Sequence, residues 1–274
     1  MKFHIENKNF KLGNECLREI LFVEDKKNNK KIFNKKGLPS ICQIEVLVKV
    51  PETRNMELKL DKKFNKKDAE KFFKILKKLI NCLGKDWYNF IKIIKYISIV
   101  KFEGRTDAKY FSGTFTDALG SIHMCKPFTE LNILECLTHE ASHFWLDKLE
   151  KNNKEFAKNG WVNNKYYSPW RKDKRPISGV IHAVYVFSRV ASALVKYFEK
   201  NKKKKILDRA AYLSAQVRQG IQEINNCSEV KTLGKEINLI SLKTIECVEQ
   251  IIPNNILKKN FVIVENKRKQ KIKK

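Results

Sequence analysis

Three residues in one short segment, His139, Glu140 and His143, have the types and spacing to hold a metal ion. They form the pattern HExxH within residues 131–150 (LNILECLTHEASHFWLDKLE), where apolar residues recur at helical spacing. Residues four apart on a helix project from one side, so the two imidazoles can grip one ion. Glu140 then faces the position of a metal-bound water or substrate. The segment therefore predicts a metal-binding helix with Glu140 as its catalytic carboxylate.

A catalytic metal site needs a third protein ligand besides two His residues. His182 is the only His downstream of His143, and it lies in an apolar segment. We predict His182 as the third ligand, although a His there is also compatible with an ordinary core residue. Asp147 and Glu135 share the side of the helix that bears the His pair, but Asp147 lies about 12 Å beyond its first member. They are better interpreted as hydrogen-bond partners of the imidazoles, or as surface charges.

Several arginines accompany this predicted centre. Arg189 follows His182 by seven residues, so both fall on one side of a helix, two turns apart. Arg171 and Arg175 lie in the segment that enters the same helix. Because a guanidinium binds a carboxylate through two parallel hydrogen bonds, these residues predict a carboxylate ligand near the metal. The alternative is ordinary surface charge on a lysine-rich protein.

The elements that must position these residues predict an α+β fold. We expect a mainly helical core that carries the HExxH helix, with a small β-sheet from the N-terminal half. Helices are predicted at 68–83, 87–97, 131–150, 176–200, 206–224 and 237–252, and strands at 41–50, 56–60, 98–102, 110–116, 121–125 and 261–264. We expect an N-terminal α/β region at 1–105 and an HExxH metal-binding catalytic region at 106–265, which is continuous with the first. A basic tail follows at 266–274, and we expect it to be disordered from residue 267.

Composition narrows the possible partners. The formal net charge of +27 favours an anionic partner, such as an acidic peptide, nucleic acid or an acidic membrane surface; the alternative is that it only reflects a lysine-rich composition. The seven Cys residues are scattered and form no CxxC pair, which predicts reduced thiols in a cytoplasmic protein. The most apolar window, 177–195, contains His182 and Arg189, so it predicts a buried core helix and no membrane partner. The sequence does not indicate an oligomeric state.

Two blocks of the sequence are similar to a known protein family: LTHEASHFWLDKLE and YYSPWRKDKRPISGVIHAVYVF. They resemble the HExxH-type, 2-oxoglutarate-dependent peptide β-hydroxylases that modify ribosomally made peptide natural products. That family has an HExxH helix, a loop of the form Y-(S/A)-P-W-R-x-D-x-R-P, and a helix with a further His. Here the loop residues are Tyr167, Ser168, Pro169, Trp170, Arg171, Asp173, Arg175 and Pro176. Residues 118–124 (ALGSIHM) are similar to the strand before the metal helix, and the match spans about residues 111–245.

The resemblance implies iron(II) on His139, His143 and His182, with 2-oxoglutarate and O₂ as cosubstrates. It implies that one of Arg171, Arg175 and Arg218 holds the distal carboxylate of 2-oxoglutarate. The expected reaction is hydroxylation of a side-chain β-carbon in a precursor peptide. Three facial protein ligands are consistent with it, because they leave sites for a bidentate keto acid and O₂.

Two other functions stay open from the sequence. In a zinc metallopeptidase, Glu140 would be the general base that activates zinc-bound water. A nucleic-acid-binding protein would use the positive charge, but no recognisable binding module is present in the sequence, which disfavours it.

Overall fold

The computed structural model describes residues 3–4, 32–33, 38–42, 46–47, 57–61, 63–103, 112–114, 120–151, 165–171 and 173–272. The described strands are β1 Phe3–His4, β2 Ile32–Phe33, β3 Ser40–Cys42, β4 Val46–Leu47, β5 Glu57–Leu60, β6 Tyr96–Glu103, β7 Ser112–Thr114 and β8 Ser121–Met124. The described helices are α1 Lys66–Ile91, α2 Glu130–Lys151, α3 Ile177–Asn201, α4 Lys204–Asn225, α5 Thr232–Ile251 and α6 Asn254–Ile272. The predicted α+β class, mainly helical with a small N-terminal sheet, is confirmed.

The chain forms two compact units. The first comprises Met1–Ile80 and Tyr88–Glu140, and the second comprises Asn81–Trp87 and Ala141–Lys274. The division passes through α1 and through α2, between Glu140 and Ala141. The regions predicted at 1–105, 106–265 and 266–274, and their continuity, stay predictions.

Strand β6 organises the sheet of the first unit. It pairs in parallel with β3 and β8 and antiparallel with β5, while β2 and β7 pair antiparallel at the outside. Ile97 and Ile99 of β6 and Ile122 of β8 are fully buried. Such branched residues fit the pleated surface of a buried parallel strand pair. Some predicted strand positions lie outside the described residues: 43–45, 48–50, 56, 110–111 and 115–116. The same is true of residues 118–119, in the segment that resembles the strand before the metal helix.

Helix α1 buries one apolar side, as its sequence predicts. Phe72, Leu76 and Leu79 recur at spacings of four and three residues and are fully buried. The ring of Phe72 packs edge-on against Phe128, with centroids 5.3 Å apart. The helix begins after Asn65, whose side-chain oxygen accepts a hydrogen bond from the backbone N–H of Asp68 at 3.2 Å. This is an ordinary N-cap.

Gly84 interrupts α1, at the place where the sequence predicts a stop. Its φ of 82° lies in the left-handed region that favours glycine, and the helix is kinked there. The following helical stretch reaches only Ile91, because Tyr96 and the residues after it pair with β3 and β8. The predicted helix at 87–97 is therefore wrong in its last residues, where strand pairing determines the conformation.

Helix α3 is the centre of the second unit and packs against α4 and α5. Within the described part of the chain, it is the one helix long and apolar enough to cross a membrane. However, 72% of its most apolar window is buried inside the protein. That burial is typical of a core helix, as its internal His182 and Arg189 predict.

Helix α6 differs from the prediction, which had a strand at 261–264 and a disordered tail after it. Leu257, Asn260 and Val264 are buried at spacings of three and four residues, so one side of the helix packs on the unit. Its basic end also has partners. Arg268 binds Glu223 at 3.0 Å, and the Lys271 ammonium donates to the carbonyl of Arg171 at 2.8 Å. These contacts between distant residues order a segment whose composition is typical of disorder.

The loop before α3 packs against α4, and the two are in close contact at Gly220. The ring of Trp170 stacks on Phe187 with centroids 5.0 Å apart. A Cβ at Gly220 would lie 2.5 Å from Val184 Cγ2 and 3.1 Å from Trp170 Cη2. Only glycine therefore fits at this position without displacing the Val184 side chain or the indole.

We expect Gly220→Ala to lower the free energy of unfolding by about 1–3 kcal/mol, because it overpacks a filled core. Urea denaturation monitored by circular dichroism measures it. Gly179→Ala is the matched control, since its Cβ would meet Arg175 Nε only at an ordinary 3.5 Å. That variant should be neutral or stabilising by up to about 1 kcal/mol. Equal effects of the two substitutions would contradict the packing argument.

A buried His in β8 predicts an acid-sensitive fold. Burial lowers the pKa of His123 to about 4 from its ordinary 6.5. Between these values the unfolded chain binds a proton that the folded chain does not, so stability falls as the pH falls through this window. We expect His123→Leu to reduce this slope by up to about 1.4 kcal/mol per pH unit.

Urea titrations from pH 7 to pH 4 measure the slope. The control Ile122→Val, in the same strand, should cost about 0.5–1.5 kcal/mol at every pH and leave the slope unchanged. An unchanged slope in His123→Leu would show that another group causes the acid sensitivity.

Candidate metal and catalytic site

Helix α2 presents the HExxH residues as its sequence predicts. It begins after Thr129, whose hydroxyl accepts a hydrogen bond from the backbone N–H of Asn132 at 3.1 Å. This hydrogen bond is an ordinary N-cap. Because the helix is continuous to Lys151, His139 and His143 lie one turn apart on it.

Glu140 is buried in the first unit, with 1% of its surface exposed. The hydroxyl of Ser112, in β7, donates a hydrogen bond to Glu140 Oε1 at 2.6 Å. Burial raises the pKa of Glu140 to about 7, and the Ser112 hydrogen bond opposes that rise. Ser112 lies 28 residues before Glu140, and no sequence spacing indicates this contact.

His139 is held in its neutral form by its surroundings. Desolvation lowers the pKa of His139 to about 4, so the imidazole is uncharged at neutral pH. A metal binds the neutral imidazole, because the coordinating nitrogen must offer a lone pair. The state of His139 is therefore compatible with the ligand role that the sequence predicts.

The structure brings His143 and His182 together within the second unit. Their ring centroids are 5.9 Å apart, and the ring planes are inclined by 33°. Two imidazoles that share one ion at a metal–nitrogen distance of about 2.1 Å have centroids roughly 5.3 Å apart in tetrahedral geometry. The two rings are thus about half an ångström wider apart than a shared ion requires. These two predicted ligands lie on different helices, α2 and α3.

Two carboxylates, those of Glu150 and Asp147, interact with His182. Its Nε2 is hydrogen-bonded to Oε1 of Glu150, and both side chains are largely buried. Desolvation raises the pKa of Asp147, nearby His182 lowers it, and Glu150 raises it further. Asp147 therefore lies in the electrostatic neighbourhood of His182, which fits the predicted role as a partner of the imidazoles. Glu150 was missed from the sequence, although its position seven residues after His143 places it on the same side of α2.

The fit to a metal ion is partial. Across the described ranges, no three His, Cys, Asp or Glu side chains are grouped closely enough to hold a metal ion. The donor chemistry fits, since neutral imidazole is a preferred ligand of iron and zinc. His143 and His182 supply two donors side by side, and His139 is the further ligand that the sequence predicts.

The four predicted arginines differ in the kind of group that they contact. Arg171 and Arg175 both face Asp173, at 3.0 Å and 3.7 Å. Arg218 makes a two-point ion pair with Glu249, at 2.6 Å and 3.2 Å. Among the described residues, the guanidinium of Arg189 contacts a ring, that of Tyr185, with Cζ 5.2 Å from its centroid. Three of the four candidates are thus already bound to carboxylates of the protein.

Comparison with protein-family models and with curated proteins found no match. The resemblance to the peptide β-hydroxylases therefore depends on the quoted motifs alone.

Proposed function

We propose that this protein is an iron(II)- and 2-oxoglutarate-dependent oxygenase that hydroxylates a side-chain β-carbon of a ribosomally made peptide. The observation that supports it best is the approach of His182 to His143, at 5.9 Å between ring centroids. These residues are 39 apart in the sequence, and the resemblance pairs them as ligands of one ion. His139 is the third proposed ligand.

The protein's own residues would prepare this site for the cosubstrate. Glu150 accepts a hydrogen bond from His182 Nε2, which fixes the imidazole and leaves Nδ1 as its lone-pair nitrogen. Desolvation keeps His139 neutral. Iron(II) with 2-oxoglutarate and O₂ would supply the oxidant when bound. The proposed substrate is a precursor peptide with an acidic stretch, which the charge of +27 would attract in the cytoplasm.

The zinc metallopeptidase is the second candidate, because HExxH is also the motif of that class. There Glu140 would have to take a proton from metal-bound water. Its side chain is instead almost fully buried, and one carboxylate oxygen accepts the Ser112 hydrogen bond. The Ser112 hydrogen bond suits the tuning role that the oxygenase proposal gives Glu140, whereas a pKa of about 7 also suits a general base, so the Glu140→Gln variant decides between the two classes.

The ligand assignment is tested by His182→Ala. Loss of a ligand should weaken anaerobic iron(II) binding by at least about a hundredfold, more than the usual effect of changing a ligand's partner. Calorimetric titration measures it. Ser188→Ala is the matched control, because Ser188 is also buried in α3 and its hydroxyl donates to Tyr185 O at 2.7 Å. Unchanged affinity in His182→Ala would remove His182 from the site.

Glu140→Gln separates the two enzyme classes. In the oxygenase, the nearly isosteric amide should leave substantial turnover, because Glu140 generates no nucleophile. In the peptidase, loss of the general base typically costs about a hundredfold to ten-thousandfold in rate. The assay supplies iron(II), ascorbate and a candidate precursor peptide. It follows 2-oxoglutarate consumption and a peptide mass gain of one oxygen.

Ser112→Ala is the companion variant, since it removes the hydrogen bond to Glu140 while keeping the carboxylate. Peptide cleavage with zinc alone, independent of 2-oxoglutarate and abolished by Glu140→Gln, would refute the hydroxylase proposal.

A further inference from the structure

A groove of about 440 Å³ lies between α4 and α6, within the second unit. This volume falls in the range of about 300–1,000 Å³ that is usual for ligand pockets. Six of the side chains that line it indicate what it binds: Arg218 and Gln222 of α4, and Phe261, Val262, Asn266 and Lys269 of α6.

Two neighbouring apolar side chains of α6 line the groove. Phe261 is partly buried. Val262 is 59% exposed, which makes it the most exposed of the large apolar side chains in the described part of the chain. Apolar surface is stabilised when it leaves contact with water. An apolar side chain of a ligand that covers Val262 therefore binds favourably here.

Two exposed amide side chains line the groove, Gln222 from α4 and Asn266 from α6. A side-chain amide has two N–H donors and a carbonyl acceptor. A peptide backbone offers one donor and one acceptor at nearly every residue, so these amides can bind a peptide whatever its sequence. A nucleic-acid backbone offers phosphate acceptors, and proteins bind it mainly with cations. The amides thus favour a peptide ligand.

The middle of the groove is close to neutral. Arg218 is paired with Glu249, and Glu265 accepts a hydrogen bond from Gln219 at 3.0 Å. A polyanion would need a row of uncompensated cations along its path. The groove instead suits a ligand that is mostly uncharged and carries its acidic group at one end.

The cation at that end is Lys269, which is exposed. It follows Val262 by seven residues, a rise of about 10 Å along α6. An extended peptide advances about 3.3 Å per residue, so the same length corresponds to about three of its residues. A second copy of this chain is a poor occupant, because both copies carry a net charge of +27 and repel each other.

The groove adjoins the loop before α3. Gln219, which lines the groove, has Oε1 at 3.5 Å from the hydroxyl of Tyr167. Lys271, two residues after Lys269, donates to the carbonyl of Arg171 at 2.8 Å. That loop leads into α3, the helix that carries His182. A peptide in the groove would therefore lie beside the segment that enters the helix of a proposed metal ligand.

We propose that the groove between α4 and α6 binds the peptide substrate in an extended form. The bound segment places an apolar side chain on Val262 and, about three residues away, an acidic side chain at Lys269. This inference deepens the proposed function, on which the choice of the substrate as the occupant rests.

The test measures peptide binding to the intact protein without metal or cosubstrate, so it does not depend on the oxygenase chemistry. The probe is a short Gly/Ser peptide with one leucine and, about three positions away, one aspartate. It carries a neutral fluorophore at one end. Two control peptides replace the leucine by serine or the aspartate by asparagine. Fluorescence anisotropy measures each dissociation constant.

We expect Val262→Ser to weaken binding of the probe by about 10-fold, because the apolar contact is lost. Lys269→Gln should weaken it by about 2- to 5-fold, the usual effect of removing an exposed ion pair. The same variant should bind the asparagine peptide as the native protein does, because that peptide lacks the carboxylate that Lys269 contacts.

Ile263→Ser and Lys259→Gln are the matched controls. Both side chains are exposed on α6, but neither lines the groove. These variants should bind the probe as the native protein does. Because all four substituted side chains are exposed, the variants should fold normally, and circular dichroism checks this.

The outcomes separate this inference from the proposed function. Equal weakening by Lys269→Gln and Lys259→Gln, or equal affinity for the probe and the serine peptide, would show non-specific attraction to a basic protein and overturn the inference. Hydroxylation of a precursor peptide with the same KM in Val262→Ser as in the native protein would also overturn it, and would leave the oxygenase proposal standing. The expected binding pattern without any gain of oxygen would overturn the oxygenase and leave the peptide groove.

Discussion

The second unit depends on the burial of α3. Most of this helix is buried and packs against α4 and α5, so its buried polar groups must find partners inside the protein. Ser188 bonds back to the carbonyl of Tyr185 at 2.7 Å, and His182 bonds to Glu150. Arg189 has only the Tyr185 ring among the described residues. The same burial that stabilises the unit therefore limits the partners that these polar side chains can reach.

The loop that precedes α3 is fixed by contacts from several elements. Gln216 of α4 donates to the carbonyl of Pro169 at 3.0 Å, and the indole of Trp170 stacks on Phe187. The backbones of Tyr166 and Arg175 pair with each other across the loop, at 2.9 Å and 3.0 Å. The segment that resembles the hydroxylases is thus ordered by packing and by backbone hydrogen bonds together. A loop held in this way can present the start of α3 in one orientation.

Local patterns predicted much of the fold, because they depend on neighbouring residues. The periodicity of apolar residues predicted the helical character of α1 through α5, with α1 predicted as two helices. Distant contacts were not accessible in this way. The helical character of residues 261–272 depends on packing against α4, and the Ser112–Glu140 hydrogen bond joins a strand to a helix. Propensity alone could not distinguish a strand from a helix at Phe261.

The site shows the same division between local and distant information. The spacing of His139 and His143 is a property of one helix, and a sequence reports it directly. The approach of His182 to His143 could only be inferred from a resemblance, because it depends on how two helices pack. The ion pair of Arg218 with Glu249 likewise joins two helices, α4 and α5, and no spacing rule supplies it.

The contact of Lys271 with the Ser168–Arg171 backbone has a consequence for biosynthesis. Its ammonium lies 2.8 Å from the carbonyl of Arg171, a residue made 100 positions earlier. During translation the HExxH helix and the start of α3 emerge well before this lysine does. The Lys271 contact therefore cannot form until about 5–20 seconds after Arg171 is made, at the usual rate of about 5–20 residues per second. Contacts of such large sequence separation also slow folding, so this one should be added late to a loop that Gln216 and Phe187 already hold.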